Sequence, residues 1–188
     1  MEQVPTVDIH DPSSTSLAAL DAACRDHGFF LLVGHGLDEV IDDTWEWTRR
    51  FFDADRSVRT DVMRSKENPL GYYDRELTKR LRDHKEVFDF IDPSIAALDA
   101  HNRWPAALPG FHAAMARHFD VFSDLAVRTL SLVHDALGLG PDERSTSTCD
   151  RHTSTVRLNH YTVGDPVPAA ERAGLVDLGP TALGYHTC

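Results

Sequence analysis

The chain ends L-G-Y-H-T-C, Leu183 to Cys188, with His186 and Cys188 two residues apart. In an extended strand, residues i and i+2 point to one face. An imidazole and a thiol so placed are two potential ligands for one metal ion, and a third donor would complete a set that leaves positions open. The other histidines do not extend this pair. Of the 11 in the chain, His27, His84, His101, His112, His118, His134 and His152 read as surface or helix residues. His112 and His118 lie six apart on a helix, which is not a shared-face spacing. His160 alternates with Asn159 and Tyr161 and so faces away from them. His35, in G-H-G, reads as a turn residue. Cys24 reads as a small buried helix residue.

The elements that must position this pair follow from the hydrophobic pattern. Ser13 to His27 reads as a helix, with serines as candidate N-caps and Gly28 as its stop. FFLLV, Phe29 to Val33, is a continuous apolar run between glycines and predicts a buried strand. Leu37, Val40, Ile41, Trp45 and Phe52 predict a helix over 37–52. NPLG, Asn68 to Gly71, predicts a turn. KEVFDFID, Lys85 to Asp92, alternates as a half-buried strand does. The stretch 93–109 carries three prolines and reads as loop. Phe111, Met115, Phe119, Phe122, Ala126, Leu130, Val133 and Leu137 predict a long helix that Gly138 ends. TVRLNHYTV, Thr155 to Val163, predicts a strand with Thr155, Arg157, Asn159 and Tyr161 on one face. Ala182 to Cys188 predicts a second. Two strands cannot bury a face by themselves, so the C-terminal β part reads as unfinished.

The bulk of the sequence narrows the function classes. The 188 residues suffice for one domain, or one and a piece of another, and 41% hydrophobic with 26% charged residues is a globular composition. Asp and Glu number 30 against 19 Lys and Arg, a net charge of -11, which disfavours a nucleic-acid partner. No apolar run approaches the roughly 18 residues of a membrane span. The acidic N-terminus has no basic stretch leading into an apolar core and reads as carrying no secretory signal. Three scattered cysteines make no disulfide framework, and a reduced cytoplasm is the expected setting.

Four stretches, in order along the chain, resemble one family. VPTVDI resembles its N-terminal strand. HGFFLLVGHGLDEV, His27 to Val40, resembles its G-F-hydrophobic-H-G segment. RLNHYTVGDP, Arg157 to Pro166, resembles the R-L-x-x-Y-P stretch that opens its catalytic jelly roll. LGYHTC resembles its L-G-x-H-T-D. The family is the isopenicillin N synthase-like group of non-haem Fe(II), 2-oxoglutarate-dependent oxygenases.

The resemblance implies an α+β chain in which a helical N-terminal region with a few strands leads into an incomplete double-stranded β-helix. It implies an N-terminal oxygenase-type domain over 1–110, a long helix over 111–140 packing on the jelly roll, and the first oxygenase strands over 150–188. It implies Fe(II) held by His186, with Cys188 at the position of the usual aspartate, and 2-oxoglutarate met by Tyr161 and Asn159. No catalytic residue is implied beyond the metal ligands. By analogy, Tyr72 and Tyr73 face substrate, and a basic patch at Arg75, Lys79, Arg80 and Arg82 would let an acidic substrate in despite the net charge. The third ligand and the Arg-x-Ser that grips 2-oxoglutarate have no counterpart in the sequence. The expectation is therefore an N-terminal fragment of an oxygenase acting on an unknown small molecule and missing a C-terminal half. It would be aggregation-prone alone and weak or inert toward iron. The alternative is a non-catalytic remnant or interaction module.

Overall fold

The computed structural model describes residues 4–10, 13–78, 81–144, 153–172 and 175. Along the chain these form β1 (Thr6–Asp8), α1 (Ser14–Asp26), β2 (Leu31–Val33), α2 (Asp38–Asp53), α3 (Arg56–Thr60), β3 (Gly71–Tyr73), β4 (Leu77–Thr78), β5 (Leu81–Arg82), β6 (Lys85–Ile91), α4 (Ala96–Asp99), α5 (Phe111–Ala136) and β7 (Thr155–Tyr161). The architecture is α+β. Its contacts divide into two units, Met1–Asp43 with Arg117–Arg151, and Thr44–Ala116 with His152–Cys188. The expected segments 1–110, 111–140 and 150–188 divide the chain in order, whereas these units interleave, and the division falls within α2 and α5.

In the first unit, β1 and β2 pair in parallel, Val7 opposite Leu32, with α1 as their crossover. The Ser13 hydroxyl caps α1 by accepting from the Ser16 amide at 3.3 Å. At its other end Gly28, at φ 75°, donates to the Ala23 carbonyl. Val7, Ile9 and Leu20 form the core, with Phe30, Leu32, Leu125, Leu132, Val133 and Ala136 packed on it. The buried strand expected over 29–33 is shorter and only half buried. Phe29 and Leu31 are each 56% exposed, because a two-stranded sheet covered on one face buries only alternate residues. Cys24 is exposed, correcting the expected burial. Leu20 and Ala23 are the residues of α1 that turn inward. The expected stripe of α5 also drifts near its end: Leu137 is exposed, while Leu132, Val133 and Ala136 pack.

In the second unit, β6 is the centre of an antiparallel sheet ordered β3-β6-β7. Strand β7 pairs with β6 without a break from Lys85↔Tyr161 to Ile91↔Thr155. Strand β6 is buried from Lys85 through Phe90, where alternation had pointed to half-burial, because aromatic rings cover one of its faces and arginine side chains the other. One sheet face carries Tyr72, Phe88 and Phe90 into an aromatic core. Phe51 of α2 meets Phe88 at 4.9 Å and Phe111 at 5.1 Å, and Phe88 meets Phe111 edge-on at 5.2 Å. Each such side chain stabilises by roughly 2–3 kcal/mol through burial, and tilted ring pairs add about 1 kcal/mol.

The sheet begins at a position only glycine fits. Gly71 has φ +99°, and a Cβ there would stand 2.2 Å from the Val62 carbonyl oxygen. That carbonyl accepts from the Tyr72 amide. The expected loop over 93–109 contains the short α4. The expected strand over 182–188 lies outside the described residues.

Candidate functional site

The strand period sorts the chemistry of the β3-β6-β7 sheet onto its two faces. Residues paired across an antiparallel ladder share a face. Lys85, Val87 and Asp89 therefore stand beside Tyr161, Asn159 and Arg157, and Tyr73 opposes Val87. Glu86, Phe88 and Phe90 stand beside His160, Leu158 and Val156, and Tyr72 opposes Phe88.

The face of Tyr161 is built round an acid-base lattice. Arg157 donates from Nε and Nη2 to the two oxygens of Asp89, both at 2.7 Å, a parallel two-bond clamp across the ladder. Asp89 is 4% exposed. A buried carboxylate is costly unless paired, and here Arg64 adds a second cation at 3.7 Å. Arg64 also donates to Glu76 at 2.7 Å and lies over the Tyr73 ring, 3.5 Å from its centroid. Arg157 Nη1 stands 3.6 Å from Glu76, which closes the lattice. Two arginines thus balance two carboxylates. Beside the clamp, Asn159 is partly buried and Tyr161 is 37% exposed.

The opposite face holds a buried carboxylate in the core. Glu86 is 1% exposed. Its Oε1 accepts from the Tyr72 hydroxyl at 2.5 Å and from Arg59, and its Oε2 lies 2.8 Å from His160 Nδ1. With the carboxylate accepting, the imidazole is the donor. Burial first, and then the hydrogen bond to Glu86, hold the Tyr72 hydroxyl protonated far above the usual tyrosine range. The His160 ring rests 4.9 Å from Phe52. Helix α3 has no buried residue. It is tied to the sheet through Arg59 on Glu86 and Arg56 on Asp74.

Of the residues the sequence singled out, Tyr161, Asn159 and Tyr73 share one face. Adjacent strand residues point oppositely, so Tyr72 goes to the other side, where it is 0% exposed and bound to Glu86. His186 and Cys188 lie outside the described residues. Among the described residues no group of three or more His, Cys, Asp and Glu side chains is placed to hold a metal ion. Asp89 and Glu76 are each engaged by arginine, and Glu86 by Arg59. The lattice residues Glu76, Asp89, Arg64 and Arg157 and the core residues Glu86 and Arg59 were not picked out as site residues from the sequence. The available signal was the pair of acids inside the apolar run K-E-V-F-D-F-I, since acids in a central strand demand cations.

Comparison with known proteins agrees with this scaffold. Residues 4–107 match the family described as non-haem dioxygenase in morphine synthesis, N-terminal. Gibberellin 20 oxidase 1 of Arabidopsis thaliana is 31% identical over 173 residues, covering 84% of this chain and 46% of the relative. The flavanone 3-dioxygenase of Petroselinum crispum is 28% identical over 142 residues, covering 74% and 38%. Among solved structures, JOX2 in complex with 2OG, Fe and JA superposes with a TM-score of 0.69 at 22% identity, covering 84% of this chain and 48% of that one. The rice dioxygenase for auxin oxidation gives 0.64 at 20%, covering 84% and 51%. The chain belongs to the non-haem Fe(II), 2-oxoglutarate-dependent dioxygenase family. It spans about half the length, or less, of these relatives. No helix among the described residues is long and apolar enough to cross a membrane.

Proposed function

We propose that the chain is the N-terminal share of an Fe(II)- and 2-oxoglutarate-dependent oxygenase that oxidises a small molecule by hydroxylation, desaturation or ring closure. The observation that carries this reading is the unbroken β6-β7 pairing, which presents Asn159 and Tyr161 on one face beside the Arg157–Asp89 clamp within the stretch R-L-N-H-Y. In this reading the Tyr161 phenol donates a hydrogen bond to a carboxylate oxygen of 2-oxoglutarate, and Asn159 orients it. The clamp fixes the strand from which both project. His186 would hold iron, and Cys188 stands where a carboxylate ligand is expected. Imidazole and thiolate alone do not fix three sites of an octahedral ion, so the remaining ligands would come from outside this chain. When bound, such a centre supplies oxidative attack on a C–H bond; the protein orients the reactants and excludes water.

A second reading, a non-catalytic remnant or interaction module, is favoured by Cys188 at the ligand position. Reading the coding sequence beyond codon 188 in all frames separates the two. A continuation encoding H-T-D, a later histidine and R-x-S supports the oxygenase; a stop followed by unrelated sequence supports the remnant.

A further inference from the structure

Four charged groups meet where β3 ends. Asp74 is 0% exposed. Arg56 Nη2 stands 2.8 Å from it and Arg75 Nε 3.5 Å, yet neither carboxylate oxygen of Asp74 has an aligned hydrogen-bond partner among the described residues. One buried negative charge therefore faces two guanidinium groups, and a second anion is needed for balance. Glu171 supplies it from a separate part of the chain, on a 3-10 turn over Ala169–Glu171. Arg56 donates to it from Nε at 3.1 Å and from Nη2 at 2.8 Å, and Arg75 Nη2 adds a third bond at 3.1 Å.

We infer that Arg56 and Arg75 form a binding site for the carboxylate of a small molecule, which Glu171 fills as a built-in and displaceable occupant. The two acids are not equivalent. Asp74 is sealed beneath the arginines, whereas the Glu171 side chain is 42% exposed. The Arg56, Arg75 and Glu171 side chains of this pairing all reach solvent, so water and dissolved anions compete for each partner. Arg56 stays positioned when Glu171 leaves, since it also donates to the Pro166 carbonyl at 3.3 Å. A planar fork of fixed donors left with one uncancelled positive charge suits a carboxylate in two-point contact. The Glu171 carboxylate thus screens a site that an acid with the right shape would open. The inference stands whether or not the oxygenase reading holds.

Isothermal titration of the full chain with sodium acetate, against sodium chloride at equal ionic strength, tests it. Glu171→Gln is expected to bind acetate about 10-fold or more tightly than the wild type, by removing the internal competitor. Adding Arg75→Gln is expected to abolish the gain. Equal acetate affinity in wild type and Glu171→Gln, an undiminished gain in the double variant, or chloride binding as well as acetate would each overturn the inference. The wild type gives a readout free of substitution. Acetate is expected to speed hydrogen exchange of the Glu171 amide, which donates to the Pro168 carbonyl at 2.9 Å; unchanged exchange at saturating acetate counts against it.

Discussion

Glu86 sits where a single proton or a single atom matters most. It is nearly inaccessible and gathers Tyr72, Arg59 and His160 round one carboxylate. Breaking a buried pair leaves the surviving charge without its partner, so Glu86→Gln is expected to cost about 3 kcal/mol. Tyr72→Phe removes one donor from a carboxylate that keeps two others, and is expected to cost about 1–2 kcal/mol. Urea denaturation of both variants checks the order; equal losses would mean that Arg59 does not depend on Glu86. Tyr72 has a further consequence. Its folded-state pKa is raised, so the native state keeps the phenol proton when the unfolded chain releases it. The unfolded chain then binds fewer protons, and stability is expected to fall as pH rises above the ordinary tyrosine value of about 10. Tyr72→Phe removes that part of the alkaline loss, and alkaline melting curves of the two proteins measure the difference.

At the scale of elements, what was readable was what local pattern determines. The helices over 14–26, 38–53 and 111–136 follow apolar spacing and caps, and β6 and β7 emerged within two residues of their expected bounds. What was not readable depends on contacts far apart in sequence. Nothing in Gly71-Tyr72-Tyr73 shows alternation long enough to mark a strand, and β3 exists because β6 offers it an edge. Helix α3 buries nothing and is held by two arginines whose acids lie on other elements. The half-burial expected of β6 failed for the same reason: Phe51 and Phe111 cover one face and Arg64 and Arg157 the other, all distant in sequence. The candidate site divides likewise. Tyr161 and Asn159 stood out by motif and share a face, while Asp89, the partner that fixes their strand, is 68 residues away from Arg157. Gly71→Ala tests the tightest element junction. Its Cβ would meet backbone rather than a movable side chain, so a loss of about 2 kcal/mol or more is expected; an unchanged thermal midpoint would contradict the close approach.

On α5, burial holds the His118 imidazole below its ordinary pKa, where it stacks on Phe122 at 4.2 Å. The folded state thus disfavours the proton that the unfolded state takes up. The contribution of this group is fully present above the unfolded value of about 6.5 and is lost as pH falls from there toward the lowered folded value. Thermal midpoints from pH 8 to pH 5 are expected to drop more for the wild type than for His118→Gln; parallel curves would show that His118 does not titrate between the two states.

For the whole molecule, the family assignment rests on the match over residues 4–107 and on the 31% identity to gibberellin 20 oxidase 1, and the chain spans about half the length of the relatives it matches. The described residues supply a sheet, a clamp and one face bearing Tyr161, but no three-ligand metal group. The central proposal is an oxygenase scaffold with too few metal ligands to bind Fe(II) by itself; among the described residues no three-ligand group is present. Anaerobic isothermal titration of the purified chain with Fe(II), with and without 2-oxoglutarate, tests that claim most directly. The expected result is no saturable site in the micromolar range under either condition. A stoichiometric site with micromolar affinity, abolished by His186→Ala, would contradict it.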